Sequence, residues 1–168
     1  MELTGERLYL RALNTNFDDL DNYLGWLRDT ETNRFIESVR KDYTKEELVG
    51  YINGKNESNT AMLFGIFERR TSILIGTVKL EPINSEIKTA WVGILIGDSE
   101  NHGKGYGFEA LDILCLFCNS FLKLNRIFLG VSPSNIPAIK LYKKFGFSQY
   151  NDEENVMCID IEDYKSKL

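Results

Sequence analysis

The stretch Ile96-Gly97-Asp98-Ser99-Glu100-Asn101-His102-Gly103-Lys104-Gly105-Tyr106-Gly107-Phe108-Glu109-Ala110 joins a β-branched run to a run with apolar residues at helical spacing. Gly103, Gly105 and Gly107 alternate through the junction. Without Cβ atoms, such a backbone turns tightly and can approach a ligand closely. Its N–H groups and the positive end of the following helix suit a phosphate or pyrophosphate. Two familiar phosphate loops fail here. The Walker pattern of Gly, four residues, Gly-Lys and Ser or Thr is absent, and Phe108 stands where a dinucleotide fingerprint needs its third glycine. A glycine-rich turn that merely starts a helix stays open on spacing alone.

Working outward, Arg7 to Leu13 alternates polar and apolar residues as a half-buried strand does. Asn14-Thr15-Asn16 offers caps for a helix carrying Phe17, Leu20, Leu24 and Leu27. Thr44-Lys45-Glu46-Glu47 matches a capping box and opens a helix through about Ile52, with Asn53-Gly54-Lys55-Asn56 as its stop. Ala61 to Glu68, Ile73 to Leu80 and Lys88 to Ile96 are β-rich with short connections, which predicts an antiparallel meander. A helix follows from Gly105 to about Leu122, then a strand over Arg126 to Val131, a helix over Ile136 to Phe145 stopped by Gly146, and a strand over Met157 to Ile161. The order β-α-α-β-β-β-α-β-α-β predicts an α/β fold, an α+β mixed sheet with part of its second half parallel. No repeat or linker divides residues 1–168, so a single domain is expected.

The chain's 168 residues carry a formal charge of −5 and are 43% hydrophobic, enough for a substantial core without disulfides. The acidity argues against coating nucleic acid through bulk charge. The N-terminus lacks a secretory signal, and the longest strongly apolar stretch, Ile113 to Cys118, is far too short to span a bilayer. With three cysteines and no disulfide framework, a soluble, reducing, cytoplasmic setting is expected, without nucleic acid or membrane as partner. Cys115-Leu116-Phe117-Cys118 has C-x-x-C spacing but sits in an apolar run, not at a helix start where the dipole activates a thiol. No metal site is expected, and all three cysteines are read as packed residues.

Gly103-Lys104-Gly105-Tyr106-Gly107-Phe108-Glu109-Ala110 resembles the acetyl-CoA loop of the GNAT N-acetyltransferase superfamily, in particular its RimJ/RimL-like branch. The family's slots, Arg or Gln, two residues, Gly, one residue, Gly or Ala, fall on His102, Gly105 and Gly107, and His102 departs from the usual residue. Asn135-Ile136-Pro137-Ala138 followed by Leu141-Tyr142-Lys143-Lys144-Phe145-Gly146-Phe147 is similar to a second family motif at the family's distance. Trp26-Leu27-Arg28-Asp29 and Arg34-Phe35 resemble the branch's acceptor-side helices, so the likeness spans nearly the whole chain.

The resemblance implies acetyl-CoA as co-substrate, lying in a V between the strand ending near Ile96 and the strand from Arg126. Leu95, Ile96, Gly103, Lys104, Gly105, Tyr106, Gly107 and Asn135 would bind it, with Asn135 also a natural helix cap. Backbone groups near Ile94 to Ile96 would polarise the thioester carbonyl. Tyr142 matches the family's general acid, and a phenol is a plausible proton donor to a departing thiolate. Many relatives place a Glu base where Trp91 stands, so Trp91 is expected to pack or to shape the acceptor pocket. Glu81, Asp98 or a water chain is left as base, and His102 suits phosphate contact or simple exposure. The implied reaction is direct transfer to a primary amine: an amino sugar, a protein N-terminus or a small amine. A non-catalytic acyl-CoA-binding module is the alternative that the missing Glu keeps open. The protein is expected to be a monomer or homodimer. Residues 101–150 hold six basic and two acidic residues, net +4, which leaves −9 for the rest. Cofactor phosphates match the first part and a cationic amine the second.

Overall fold

In the computed structural model, residues 1–32, 34, 35, 43–153 and 155–161 are described. The strands are β1 (Glu2–Thr4), β2 (Leu8–Ala12), β3 (Met62–Glu68), β4 (Leu74–Asn84), β5 (Thr89–Ile96), β6 (Arg126–Gly130), β7 (Ser148–Gln149) and β8 (Val156–Asp160). They form one sheet in the order β1-β2-β3-β4-β5-β6-β8-β7. The helices are α1 (Leu20–Arg28), α2 (Lys45–Asn56), α3 (Tyr106–Ser120) and α4 (Ile136–Phe145), with a short 3-10 turn over Ser99–Asn101. The expected meander is present: β1 to β5 pair antiparallel in sequence order. Among the described residues, parallel pairing is confined to β5 and β6, where α3 makes the crossover that parallel strands require.

Two apolar layers hold the sheet. On one face, α3 and α4 cover Leu10, Ile66, Val78, Val92, Ile127 and Ile159, and Ala110, Leu111 and Leu114 of α3 are fully buried. On the other face, α1 and α2 cover Leu13, Leu63, Phe67 and Leu74 through Leu20, Leu24, Leu48 and Ile52. Cys115 and Cys118 lie within the first layer, and burial pushes the Cys118 thiol up to about 12. They are packed residues, inert as nucleophiles.

Several boundaries differ from the sequence expectation for physical reasons. Asp18 is drawn into an ion pair with Arg11 at 2.6 Å and accepts from Asn14 N–H, so residues 14–18 form a turn and Asp19 caps α1 instead. Phe17 is left 85% exposed. The capping box of Thr44 and Glu47 forms as expected, but α2 runs past Gly54 to Asn56. Tertiary ties outweigh the local stop signal: Asn56 Nδ2 donates to Leu13 O at 3.0 Å and Lys55 pairs with Glu81. Strand β4 continues beyond Leu80 through a register shift between Leu80 and Ile83 that accommodates Pro82. Arg34 and Phe35 lie in a turn after α1, not in a helix. The short edge strands β1 and β7 were too brief to show a period.

Candidate active site

Strands β5 and β6 pair only through Thr89–Arg126, Ala90–Ile127 and Trp91–Phe128, then separate. Gly97 N–H donates to Ile75 O on the β4 side at 2.8 Å. Peptide groups alternate along a strand, so those of Ile94 and Ile96 point the other way, into the V. A cleft of about 1750 Å³ occupies this opening and runs from α1 and α2 to the start of α3.

The glycine loop closes one end. Gly103 and Gly105 adopt φ of 73° and 81°, a left-handed backbone that strains any residue with a side chain. Gly105 sits at the N-cap of α3, and no side chain caps that helix. The first N–H groups of α3 are therefore free of any capping side chain, which suits an anionic group. Space around the Gly103 Cβ position is open, so a pyrophosphate fits this cradle. His102 is exposed and lines the cleft. Its Nε2 lies 3.0 Å from Ile96 O and 3.1 Å from Gly97 O, so that nitrogen carries the proton and donates back to the end of β5. The imidazole thereby ties the loop to the strand that lines the V.

A second anchor lies far away in sequence. Arg7 Nη1 donates to Lys104 O at 2.8 Å, and its Nε donates to Glu109 Oε2 at 2.8 Å. Glu109 Oε1 also accepts from the main-chain N–H of Arg7 and Leu8. The Arg7 guanidinium stacks over the Tyr106 ring at 5.0 Å, and the Tyr106 hydroxyl donates to Glu68 at 3.2 Å.

Leu95, Ile96, Gly103, Gly105, Tyr106, Gly107, Asn135 and Tyr142 all line the cleft. Lys104 does not: Arg7 takes its carbonyl and its side chain is exposed. Asn135 caps α4 by accepting from Ala138 N–H at 3.2 Å through Oδ1, which leaves its amide N–H groups for the cleft. Tyr142 is 7% exposed, and burial pushes its phenol up to about 12. Lys144, which no motif singled out as a site residue, also faces the cleft.

The opposite end is aromatic and polar. The Trp26 indole lies against Gly97 and donates from Nε1 to Asp98 Oδ1 at 3.0 Å. Tyr23, Tyr51, Thr77 and Lys79 continue the wall. Burial pushes the phenols of Tyr23 and Tyr51 up. Glu81 is held by Lys55 and by Lys79, at 3.0 Å from the latter. The Lys55 hydrogen bond, aided by Lys79, keeps its carboxyl below the usual range. It lies outside the cleft lining, so it is a poor candidate base, whereas Asp98 lines the cleft. Trp91 also lies outside the lining and stacks on Phe128 at 5.4 Å. It packs and does not shape the acceptor pocket, because it belongs to the last paired position before the V opens.

The family model described as an acetyltransferase (GNAT) domain matches residues 7–148. The chain belongs to the GNAT acetyltransferase family. This GNAT protein is 32% identical over 154 residues to the probable N-acetyltransferase YjcK of Bacillus subtilis, covering 86% of this chain and 82% of that one. It is 38% identical over 63 residues to the spermine/spermidine N(1)-acetyltransferase of the same organism, covering 38% of this chain and 41% of that one. The crystal structure of spermidine N-acetyltransferase from Vibrio cholerae in complex with CoA and spermine superposes with a TM-score of 0.83. At 24% identity, with 95% of this chain and 98% of that chain covered, it shows the fold alone. Family and relatives make this GNAT protein an acyl-CoA-dependent enzyme, an N-acetyltransferase. Among its described residues, no helix is long and apolar enough to cross a membrane.

Proposed function

We propose that this GNAT enzyme, within the RimJ/RimL-like branch suggested by its two motifs, moves the acetyl group of acetyl-CoA directly to a small primary amine. The observation that carries the proposal is the convergence on one cleft of the uncapped α3 start, the stretch of β5 that β6 does not pair and the buried Tyr142 hydroxyl. When bound, acetyl-CoA supplies an activated acyl carbon as a thioester. The N–H groups of the loop and α3 hold its pyrophosphate, Asn135 steadies the pantetheine, and Ile94 and Ile96 N–H groups face its carbonyl. Tyr142 keeps a proton at Oη for the departing sulfur. No cysteine is placed to act as a nucleophile, which favours a ternary complex over an acyl-enzyme. The amine's proton leaves to water in the open acceptor end, with Asp98 as the carboxylate available to relay it. The polyamine acetyltransferases among the relatives support a small amine over a protein N-terminus.

Thiol release over a panel of aminosugar nucleotides, N-terminal peptides, amino acids and polyamines tests this, alongside melting with acetyl-CoA. The expected result is turnover of a small amine and a raised Tm with acetyl-CoA. Silence in both assays overturns the proposal.

His102 acts as a positioning residue for the cofactor loop. His102→Ala removes a donor to the β5 carbonyls and is expected to raise the KM for acetyl-CoA about three- to tenfold, the worth of one modest hydrogen bond. Its kcat should stay near the wild-type value, and His102→Gln, which restores an N–H donor, should recover part of the loss. An unchanged KM in the alanine variant would remove this role.

A further inference from the structure

Among the described cations that line the cleft, Lys79 is the one on the sheet, beside the opening of the V. It stands opposite Gly93 in the β4–β5 register, and Gly93 lies just beyond the last residue that β6 pairs. No atom lies within 4 Å of where a Gly93 Cβ would stand, so the wall is open there. Lys79, Glu81 and Lys55 form a chain of two ammonium groups sharing one carboxylate, a cluster of net charge +1. Lys55, with an 18% exposed side chain, neutralises Glu81 from the inner side and crosses the Tyr51 ring at 5.3 Å. Lys79, more exposed, is the member of the three that lines the cleft.

Among the described residues, the other charged groups lining the cleft are Asp29, Glu31, Arg34, Asp98, Glu100 and Lys144. Asp29 accepts from the Thr32 and Glu31 main chain, Glu31 pairs with Arg34 at 3.1 Å, and Asp98 accepts from Trp26. Glu100 sits in the 3-10 turn leading to the glycine loop and Lys144 near the end of α4. These groups stand on α1's end, the turn after it, the glycine-loop side and α4, so on the sheet itself an acceptor reaching the V meets Lys79, whose own cluster carries the local positive excess. A polyamine would bring a second ammonium against it, whereas a carboxylate or phosphate would complete the cluster as two cations with two anions.

We infer that the acceptor carries an anionic group, a carboxylate or a phosphate, close to its reacting primary amine, and that Lys79 binds that group. This rests on the transferase reading above and narrows its substrate class. It also sets the acceptor apart from the polyamines of the relatives' names.

The test compares matched acceptors that differ in the anion: tyrosine against tyramine, and glucosamine 6-phosphate against glucosamine, with spermidine beside them. Wild-type kcat/KM is expected to be at least about tenfold higher for the anionic member of one pair, and the pair that responds tells carboxylate from phosphate. Lys79→Glu should erase or invert that preference through the acceptor KM, and Lys79→Met should remove it. The KM for acetyl-CoA should hold in both, which also reports an intact fold. Turnover of spermidine, tyramine or glucosamine at least as efficient as that of the anionic acceptors overturns the inference while leaving the transferase reading in place. So does a preference unmoved by Lys79→Glu. No thiol release with any amine, together with no acetyl-CoA effect on Tm, overturns both.

Discussion

Tyr142→Phe is expected to lower kcat by about two orders of magnitude or more, the usual worth of a positioned proton donor, while the KM for acetyl-CoA and the Tm stay close to wild type. The ring remains after the substitution, so its packing against Phe147 at 5.7 Å survives and the fold loses little. What disappears is the Oη proton in a cleft where the side chain is 7% exposed. Burial disfavours the phenolate, so the pKa moves up, to about 12, and the group stays a donor through the range where an exposed tyrosine titrates, near pH 10. Compared with a free thiol of pKa about 8.5, such a phenol is a weak acid. The sulfur, however, leaves into the same sparsely solvated space, where its anion is penalised too and its basicity rises. On the proposed reading Tyr142 would give its proton as the carbon–sulfur bond breaks, and the proton lost from the nitrogen that becomes the amide would restore the phenol. Two measurements check this: kcat in the variant, and a wild-type kcat profile free of any alkaline decline until well above pH 10. Unchanged turnover in Tyr142→Phe would remove Tyr142 as the acid.

Gly97→Ala is expected to destabilise the protein by about 1–3 kcal/mol, although it adds a single methyl group. A Cβ at this position would lie 2.0 Å from Trp26 Cε2 and 2.4 Å from two more indole atoms. The indole is rigid and 3% exposed, so it cannot bend away as a flexible side chain would. Either α1 lifts from the sheet or the ring turns and loses its bond to Asp98. For a chain of this size the Tm should fall by about 2–4 °C per kcal/mol. Placing the same substitution in a Trp26→Ala background should cost almost nothing, because the clash is gone; equal costs in both backgrounds would refute the explanation. Since α1 walls the acceptor end and Gly97 ends β5, the variant is also expected to loosen acceptor binding more than cofactor binding.

Much of this candidate site was legible in the sequence because the elements proposed to hold the cofactor are local. The glycines that adopt left-handed backbone, the Asn135 cap and the Tyr142 helix each announce themselves within a dozen residues. The side-chain commitments were not legible. In the sequence His102 reads as a phosphate contact or as simply exposed; it is exposed, and its Nε2 also reaches carbonyls that only the strand end brings within range. Trp91 reads there as packing or as shaping the pocket, and it packs on Phe128; alignment by position could not choose, because it says nothing of where β5 and β6 part. Glu81 looked like a base until two lysines, one from α2, claimed it. The alternation of Thr77 and Lys79 along β4 is a signal for the cleft wall which only the pairing of β4 with β5 makes readable.

The arginine at the entry to β2 and the glutamate on α3 are 102 positions apart, yet together they hold the loop that precedes the helix. In engineering terms, the glycine loop is not a portable cassette. Transplanting residues 103–109 into a relative leaves the Lys104 carbonyl and Glu109 without their clamp unless Arg7 and its hairpin travel too. During synthesis, likewise, the phosphate cradle can only set after more than half of the polypeptide exists, because its brace is made by the first residues and its frame by much later ones.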